Sequence, residues 1–325
     1  MKEELYIIGE SNEIKIQEID KESATEFIKK FHYSSTMPRI NKLFIGGYIG
    51  ETLVGVMTCG WGTQPKATIK KLFPSLDTTD YWEIGKFCMD EIMPKNSESN
   101  FLSKCIRHLK QYHKEIKVLY TWSDGMLGKP GYIYQSSNFL YGGFIWTDSF
   151  FTEHGERIHP RSCKQLLIEN AKMVGREKLC WMTAEFERMK KIERYKGNQL
   201  RYCYFLCNKG EKKKLMKETT FDWNTNYPLK ENLKWKKRKQ DLSGWEFCEA
   251  PKYIQTLNAR EVSRERRLVS NEEGVGQFHH LAPNSQTLKK TKLRKSKRIP
   301  SMLTDGKGAY YPDDSPNLKT TEQKK

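Results

Sequence analysis

Several features are scarce or absent in this chain of 325 residues, and each absence excludes a class of protein. No apolar run approaches the roughly 18 residues that a membrane-spanning helix needs. The N-terminal tetrapeptide, Met-Lys-Glu-Glu, is too acidic for a secretory signal. No two of the eight cysteines have the two-residue spacing of a zinc knuckle or a redox motif. The sequence therefore predicts a cytoplasmic protein with no membrane span and no disulfide framework.

Acidic residues are also few relative to basic ones. The chain holds 40 Asp and Glu residues against 57 Lys and Arg residues, which gives a net charge of +17 at pH 7. Residues 211–325 contribute 26 basic and 15 acidic residues, so the excess is concentrated in the C-terminal third. A basic intracellular chain usually binds a polyanion, and nucleic acid is the expected partner. The alternative is a solvated basic surface without a specific partner.

Apolar periodicity predicts an α+β fold. Apolar runs predict strands at 14–19, 43–48, 53–59, 82–89, 118–122, 144–151 and 201–207. The second and third runs are joined by a short turn that contains Gly50, which is typical of a hairpin. Helical spacing predicts helices at 20–31, 101–112 and 133–140. The order of these elements predicts a mixed β-sheet flanked by helices.

The remaining segments depart from this pattern. Residues 152–197 are charged and helical in pattern, and we interpret them as an insertion because a β pattern resumes at Arg201. We expect a catalytic domain at 1–210 that contains this insertion, and then a basic extension at 211–240. Apolar periodicity fades beyond residue 240, and such polar, charged sequence cannot bury enough surface to offset chain entropy. Residues 241–325 are therefore predicted to form a flexible, disordered basic tail.

A glycine-rich loop after the strand at 118–122 is the leading candidate for a site. It contains Asp124 and Lys129, and it leads into the short helix that holds Tyr134. In α/β proteins such a turn between a strand and a helix commonly binds a ligand, because its backbone can approach closely and the helix offers free N–H groups. The alternative is an ordinary connection that the Asp caps.

The order of elements resembles the GNAT fold of acyl-CoA-dependent N-acyltransferases. In that fold the loop before the central helix binds the cofactor pyrophosphate through backbone N–H groups. The resemblance implies cofactor binding by four residues in the loop at 94–99: Lys95, Asn96, Ser97 and Ser99. The loop lacks the usual glycine pattern, and Glu98 opposes an anion. A plain helix N-cap by Asn96 or Ser97 is therefore the alternative.

Several motifs, taken together, are more specific. The first motif is His32-Tyr33 with Pro38-Arg39, and the second is Glu83 to Asp90 with the loop at 93–99. The third consists of the Ser-Asp, Gly-Lys, Ile-Tyr-Gln and Asn-Phe pieces within 123–142, and the fourth is Arg201-Tyr-Cys-Tyr204. In this order and at these separations they resemble the phage Mom family of DNA adenine modification proteins, which are related to GNAT enzymes. The resemblance covers about residues 25–145 and the strand near 200. It departs at Lys86 and Lys129, where the family tends to have Arg and His.

The resemblance implies a transferase that adds a carbamoylmethyl (acetamido) group to the exocyclic amine of adenine in double-stranded DNA. This methylcarbamoylation shields phage DNA from host restriction, and the enzyme would act in the cytoplasm of the host cell. An acyl-CoA-type donor or a metal such as iron is compatible with the family, although the sequence shows no cluster of metal ligands. The competing hypotheses are a GNAT N-acyltransferase that acts on a protein or small-molecule amine, and a DNA-binding module without catalysis.

Five residues are candidates for catalysis: His32, Lys86, Asp90, Asp124 and Tyr134. The exocyclic amine of adenine is a poor nucleophile, so an enzyme must take up its proton, which suits Asp124, and protonate a leaving group, which suits Tyr134. His32 titrates near neutral pH. The structural alternatives are a loop cap for Asp124, aromatic packing for Tyr134, a structural histidine at His32 and an ion pair between Lys86 and Asp90.

Six residues are candidates for DNA binding: Tyr33, Arg39, Lys129, Asn138, Arg201 and Tyr204. The target amine lies inside the duplex, so we expect the base to flip out and an aromatic side chain such as Tyr33 to stack on it. Asn138 suits the adenine edge, with turn capping as the alternative. Basic side chains would contact the phosphates. The sequence does not indicate an oligomeric state.

Overall fold

Ten strands form one mixed sheet in this computed structural model, which describes residues 13–34, 36–155, 157–158, 163–239 and 244–251. They are β1 (Lys15–Glu18), β2 (Ile40–Ile49), β3 (Thr52–Trp61), β4 (Tyr81–Met89), β5 (Val118–Asp124), β6 (Leu140–Phe151), β7 (Arg157–Ile158), β8 (Glu193–Phe205), β9 (Trp235–Arg238) and β10 (Trp245–Cys248). In space the order is β1-β2-β3-β4-β5-β8-β6-β7, with β9 paired to β8 and to β10. Only β4 and β5 are parallel among these neighbours.

Seven α-helices accompany the sheet in the same residue ranges. They are α1 (Lys21–Phe31), α2 (Pro65–Leu72), α3 (Ser97–Tyr112), α4 (Tyr132–Ser136), α5 (Cys163–Met173), α6 (Ala184–Met189) and α7 (Lys209–Glu218). Val56 and Met57 are successive residues of β3, so their side chains point to opposite faces of the sheet. Val56 packs beside α1, and Met57 packs in the core that α3 covers. Helices flank both faces, and the predicted mixed β-sheet flanked by helices is confirmed.

Helix α3 covers the main core with an apolar face that helical spacing predicts well. Its buried side chains include Phe101, Leu102, Cys105, Ile106 and Leu109. Phe101 approaches β2 and β3 closely, because a Cβ atom at Gly47 or Gly55 would lie 2.7 or 3.0 Å from its ring. Tyr112 follows the same spacing, but it is exposed because it is the last residue of the helix.

The sheet opens between β4 and β5. Their parallel pairing joins only Tyr81–Glu83 to Val118–Tyr120. Beyond that point β4 stays paired with β3 as far as Met89, and β5 stays paired with β8 as far as Asp124. Each strand is therefore held extended by its outer neighbour, and the inner edges diverge. The divergence gives side chains at the ends of β4 and β5 room around a cleft.

The segment after β6 returns to the sheet through charged contacts. Helices α5 and α6 lie between β7 and β8, within the predicted insertion. Strand β8 begins at Glu193, before the predicted end of that insertion, because it pairs with Phe151 at the end of β6. The Glu187 carboxylate of α6 contacts Arg194 of β8 at 3.4 Å and Arg238 of β9 at 3.1 Å. These ion pairs tie α6 to two strands.

Two elements differ from the sequence-based expectation. Helix α2 directly follows β3 and starts with Pro65, whose ring favours the first turn of a helix. Strand β10 falls within the segment predicted as a tail, and it extends the folded part because Trp245 pairs with Arg238 of β9. The predicted tail from 252 onward lies outside the described residues. Within the described ranges, no helix has the length and apolarity to cross a membrane.

Candidate active site

The segment that follows α1 and the loop that follows β5 converge on Lys86, in the cleft between β4 and β5. Lys86 Nζ donates a hydrogen bond to the Ser34 carbonyl oxygen at 2.9 Å. The Lys129 and Lys86 ammonium groups lie 3.9 and 6.0 Å from the centre of the Tyr33 ring. His32 stacks on the same ring with 4.3 Å between ring centres. Four of the predicted site residues, His32, Tyr33, Lys86 and Lys129, therefore form one cluster.

The Lys86 ammonium group is largely shielded from water, and this alters its pKa. Burial lowers the pKa of Lys86 from its usual 10.5 to about 8. Asp124 favours the charged form and raises this pKa, whereas the positive charges of Arg157 and Lys129 lower it. A lysine with a pKa near 8 is partly a neutral amine at slightly alkaline pH. Lys86 can therefore accept a proton, which an ordinary surface lysine does poorly.

His32 is held as a neutral imidazole. Burial and the charges of Lys86 and Lys129 lower the pKa of His32 to about 3. Its Nδ1 atom lies 2.9 Å from the Ser34 amide nitrogen and 3.0 Å from the Ser34 carbonyl oxygen. If Nδ1 accepts from the amide, the ring proton is on Nε2; if Nδ1 donates to the carbonyl, Nε2 is an acceptor. In both tautomers His32 is a hydrogen-bonding group rather than an effective base.

Asp124, the last residue of β5, forms an ion pair that sequence patterns did not reveal. Its Oδ2 atom accepts a hydrogen bond from Arg157 Nη1 at 3.0 Å, and Arg157 Nη2 donates to Ser149 Oγ at 3.2 Å. Arg157 lies within the predicted insertion, and the pairing of β7 with β6 returns it to the cleft. The Asp124 side chain makes no capping hydrogen bond to the turn that follows. The insertion therefore supplies a cation to the candidate site.

Tyr134 combines aromatic packing with a protonated phenol. Its ring lies 5.4 Å from that of Phe139 and 5.5 Å from that of Tyr202. The Thr121 hydroxyl donates to the Tyr134 oxygen at 3.3 Å. Burial raises the pKa of Tyr134, and the negative charge of Glu98 raises it further. The phenol therefore keeps its proton at neutral pH, and it lies within electrostatic reach of the loop before α3.

A pocket of about 380 Å³ adjoins α4 at the N-terminal end of α3. It is lined by Asp90 and by the four predicted cofactor residues, Lys95, Asn96, Ser97 and Ser99. Asn96 occupies the N-cap position with φ of 72°, yet its side chain makes no capping bond. The Ser99 hydroxyl donates to the Asn96 carbonyl oxygen at 2.9 Å. The ion pair of Asp90 with Lys86, the structural alternative, is not found between these two described residues: Lys86 donates to Ser34, and Asp90 lines the pocket.

The pocket fits a small polar group better than a pyrophosphate. The Ser97 hydroxyl is buried without a hydrogen-bond partner, so it can donate to an oxygen of a bound molecule. However, the carboxyl groups of Asp90, Glu91 and Glu98 line the same pocket, against the ammonium group of Lys95. Like charges in a partly desolvated pocket repel strongly. The loop therefore does not fit the pyrophosphate of an acyl-CoA cofactor.

Four of the predicted DNA-binding residues lie outside the cluster. Arg201 is buried in the core: its Nη1 donates to the Gly142 carbonyl oxygen at 2.7 Å, and its guanidinium lies 4.3 Å from the Phe221 ring centre. Tyr204 packs against Lys110 and Phe139. The other two are exposed: Asn138 and Arg39. Asn138 has φ of 61° after α4, a backbone role that asparagine tolerates well. The prediction that Arg201 contacts substrate is corrected, because its hydrogen bond and ring contacts hold it in the core.

A second basic surface lies on β6, β8, β9 and β10. Lys196 of β8 faces Lys236 of β9, and their ammonium groups each lie 4.4 Å from the ring centre of a tryptophan, Trp245 and Trp146 respectively. Phe247 of β10 lies 4.9 Å from the Lys236 ammonium and is 68% exposed. Cations interleaved with aromatic rings suit contact with nucleic acid strands. Sequence analysis missed this surface, because its residues come from four separate strands.

The opened mixed sheet, with α3 beginning at its cleft, is an α+β architecture of the kind that the sequence predicted. The model of the Mom protein family matches residues 13–223, which is more than half of the chain, and the chain belongs to this family. The resemblance predicted from the motifs is therefore confirmed. The matched range includes all the residues of the cluster around Lys86, and Arg157 as well.

Individual relatives agree with this assignment. The methylcarbamoylase Mom of Escherichia phage Mu is 28% identical over 205 residues, which cover 63% of this chain and 80% of the relative. Among solved structures, an N-acetyltransferase from Staphylococcus aureus is similar with 13% identity and a TM-score of 0.31, over 60% of this chain and 99% of that one. An IAA acetyltransferase from Bacillus cereus is similar with 14% identity and a TM-score of 0.30, over 59% of this chain and 99% of that one.

Proposed function

We propose that this chain is a phage-type transferase that adds a carbamoylmethyl group to the exocyclic amine of adenine in double-stranded DNA. The observation that carries the proposal is that the family match spans the elements of the cleft, including Lys86, Asp124 and Arg157. The similar protein of phage Mu is named a methylcarbamoylase. The product would protect phage DNA from host restriction, and the enzyme would act in the host cytoplasm.

The cleft offers a plausible proton acceptor for this reaction. In the proposed step the adenine amine nitrogen forms a bond to the methylene carbon of the donor, and the bond from that carbon to the leaving group breaks. One proton of the amine passes to the Lys86 amine, whose pKa is lowered to about 8. Asp124, fixed by Arg157, would accept a hydrogen bond from the same amine. In this chain, which departs from the family's Arg at this position, Lys86 thus takes the role of base that the sequence assigned to Asp124.

The remaining residues of the cleft would bind and orient. Neutral His32 would hydrogen-bond the base or the donor without competing for the proton. Tyr134 keeps its phenolic proton and would donate it to the leaving group. Tyr33 is 38% exposed, and its ring is already contacted by Lys129 and His32. A flipped adenine would therefore stack there once the Lys129 ammonium swings to a phosphate.

The acidic pocket beside α3 would receive the donor. Its carboxyl groups at Asp90, Glu91 and Glu98 disfavour a polyphosphate, and the buried Ser97 hydroxyl favours a neutral oxygen such as an amide carbonyl. A carbamoylmethyl group ends in a primary amide, whose N–H groups can donate to carboxylates and whose oxygen can accept from Ser97. The donor itself stays unassigned. The pocket chemistry favours a small uncharged or amine-bearing donor.

The test is mass spectrometry of nucleosides from plasmid DNA co-expressed with the protein. We expect a carbamoylmethyl adduct on deoxyadenosine with the wild type, and no adduct with Lys86→Met or Asp124→Ala. Lys66→Met, an exposed lysine on α2, is the matched control and should leave the adduct level unchanged. Unmodified DNA in the presence of folded wild-type protein would refute the proposal.

A second candidate is an acyl-CoA-dependent N-acyltransferase acting on a protein or small-molecule amine. One observation favours it, namely the unpartnered Ser97 hydroxyl at the N-terminal end of α3. The acidic lining of the pocket opposes it. Calorimetric titration with acetyl-CoA separates the two: tight binding together with unmodified adenine would favour the acyltransferase, whereas no binding together with adenine modification would favour the DNA transferase.

A further inference from the structure

Three metal-ligating side chains meet at the far end of α3 from the candidate active site. Glu18 of β1 accepts contacts on one carboxylate oxygen, Oε1, from two histidines: His108 Nε2 at 2.9 Å and His113 Nε2 at 3.2 Å. The three ligand atoms all lie within 4.8 Å of one another. His108 lies 11 positions after Ser97 on the helix, which corresponds to roughly 16 Å along the axis at about 1.5 Å per residue. The cluster is therefore separate from the pocket at the start of α3.

We propose that Glu18, His108 and His113 form a binding site for a divalent transition-metal ion, with Zn²⁺ as the best match. Zinc binds imidazole nitrogen at about 2.0–2.1 Å and carboxylate oxygen at about 2.0–2.2 Å, so tetrahedral ligand atoms lie roughly 3.3–3.4 Å apart. The observed separations of 2.9 and 3.2 Å would widen by only a few tenths of an ångström. The third separation, between the two imidazole nitrogens, is within 4.8 Å, so modest side-chain movements would bring the three ligand atoms around one ion.

The ring surroundings hold both histidines in place. The His108 ring lies 4.7 Å from that of Tyr112, and the His113 ring lies 5.0 Å from that of Trp82. Neither imidazole is strongly exposed, since the side chains are 15% and 20% accessible. Aromatic packing of this kind reduces the rotational freedom that the side chains would lose on binding.

A fourth residue lies behind one of the two histidines, where it can fix the tautomer that a metal requires. The Glu115 carboxylate lies 3.5 Å from His113 Nδ1, on the opposite side of the ring from Glu18. A neutral imidazole carries one N–H, so it cannot donate to Glu18 and Glu115 at once. With a metal on Nε2, the proton resides on Nδ1 and points to Glu115. A carboxylate behind a ligating histidine is a common arrangement that fixes the tautomer and strengthens the ligand.

The ligand chemistry selects the class of ion. Two imidazole nitrogens and one carboxylate suit Zn²⁺, Co²⁺, Ni²⁺ or Cu²⁺, whereas Mg²⁺ and Ca²⁺ prefer oxygen ligands throughout. Three protein ligands leave one tetrahedral position for water. Glu18 is 48% exposed, so that position can face solvent. The ion would link edge strand β1 to the C-terminal end of α3, and we expect its main effect to be on stability.

Calorimetric titration of the full-length, chelator-treated protein with Zn²⁺ tests the site. We expect one ion per chain from this site, with the affinity reduced at least tenfold in Glu18→Gln and in His108→Gln. The Glu115→Gln variant should lose a smaller factor, because Glu115 acts through His113. His154→Gln is the matched control, since His154 is an exposed histidine whose contact is with Glu153. Zn²⁺ should also raise the thermal unfolding midpoint of the wild type.

Two outcomes would overturn the site. The first is a titration of folded wild type with Zn²⁺ that gives no heat and no ion uptake, which would leave the cluster as a hydrogen-bonded contact only. Retention of wild-type affinity in the His108→Gln/His113→Gln double variant would place the ion elsewhere. If a variant does not fold, diethyl pyrocarbonate labelling of the wild type replaces it. Zn²⁺ should then protect His108 and His113 but not His154, and equal labelling with and without the ion would refute the proposal.

Discussion

Lys86 has a strongly lowered pKa, and its surroundings explain why. Burial opposes its charge, and Lys129 and Arg157 add like charge, while Asp124 compensates only in part. In the absence of substrate the Lys86 ammonium group holds the segment after α1, because it donates a hydrogen bond to the Ser34 carbonyl oxygen. Loss of the proton would weaken that bond, because a neutral amine is a poorer donor than an ammonium group. The protonation state of Lys86 is therefore coupled to the position of the segment that holds His32 and Tyr33.

The pH profile of modification should report this residue. Because the neutral amine is the proposed base, the rate should rise with pH and level off above about 8. Lys86→Arg keeps a cation that does not deprotonate, so the rate should fall by about 10²-fold or more and the inflection should disappear. Initial rates between pH 6 and pH 9.5 measure both. Lys42→Arg, a lysine over Trp61, is the control. A Lys86→Arg enzyme with normal rate and inflection would exclude Lys86 as the base.

His32 should make the fold sensitive to acid. Its pKa is lowered from 6.5 to about 3 in the folded state, so the unfolded chain binds more protons between these values. Stability therefore falls as pH drops below about 6.5, and the loss is complete near pH 3. His32→Gln removes this contribution and should lose about 1–3 kcal/mol less than the wild type between pH 6.5 and pH 4.5. Urea unfolding at both pH values measures the difference, and equal losses would contradict the assigned cause.

The predictability of the site differs from residue to residue. His32, Tyr33, Lys86 and Lys129 were chosen from sequence, and the structure brings them together. Arg157 was missed because its role depends on the pairing of β7 with β6 across a segment interpreted as an insertion. The exact register of two strands is a tertiary property, and no local spacing encodes it. Arg201 was chosen from sequence but lies in the core, because nothing in the sequence of a strand shows that a charged residue is buried.

At the scale of elements, periodicity predicted strands and helices where a face is uniformly apolar. Helix α3 was found this way because its buried side chains repeat at the helical period, and strand β3 was found as a continuous apolar run that is buried from Val54 to Gly60. Short elements were harder to predict. Helix α2 is polar on most of its surface, β9 is rich in charge and β10 has only four residues, so none of the three gives a clear pattern. Their position depends on pairing and on packing with distant residues.

Glycine in β6 shows how one element depends on another. A Cβ atom at Gly142 would lie 2.3 Å from the Trp223 ring, and the neighbouring Tyr141 exchanges two backbone hydrogen bonds with Asn224. The Trp223 indole is itself anchored by a bond to the Thr219 hydroxyl at 3.2 Å. The segment after α7 is thereby fixed on the sheet, and the ring has little room to move.

Gly142→Ala should therefore destabilise the protein by about 1–3 kcal/mol, because the new methyl group overpacks this contact. Gly210→Ala is the matched control. Gly210 lies in the first turn of α7, where its Cβ would be 3.3 Å from the nearest atom, the Asn208 side-chain oxygen. Alanine favours a helix over glycine, so the control should be neutral or slightly stabilising. Thermal and urea unfolding measure the stability of both variants. Equal stability of Gly142→Ala and the wild type would show that the Trp223 ring moves aside without cost.

At the scale of the whole molecule, positive charge lies both at the cleft and beyond the family match. The match ends at residue 223, whereas the surface formed by Lys236 and Phe247 and the basic run at 289–298 follow it. Residues close to the reacting base must be placed to within a fraction of an ångström. Phosphate contacts need only charge and proximity, so they can be supplied by segments outside the conserved fold. We expect these C-terminal cations to increase affinity for DNA without changing which base is modified.

Replacement of the seven Lys and Arg residues within 289–298 by Gln tests this division of roles. Each lost phosphate contact should make the dependence of log affinity on log salt less steep by about 0.9, because fewer counterions are released. Affinity should fall equally for duplexes of different sequence, and the adenine adduct should be unchanged. Fluorescence anisotropy at several salt concentrations measures the slope, with Ala at Asn284, Ser285 and Gln286 as the uncharged control. An unchanged slope, or weaker binding to one sequence alone, would show that these cations do not act through the phosphates.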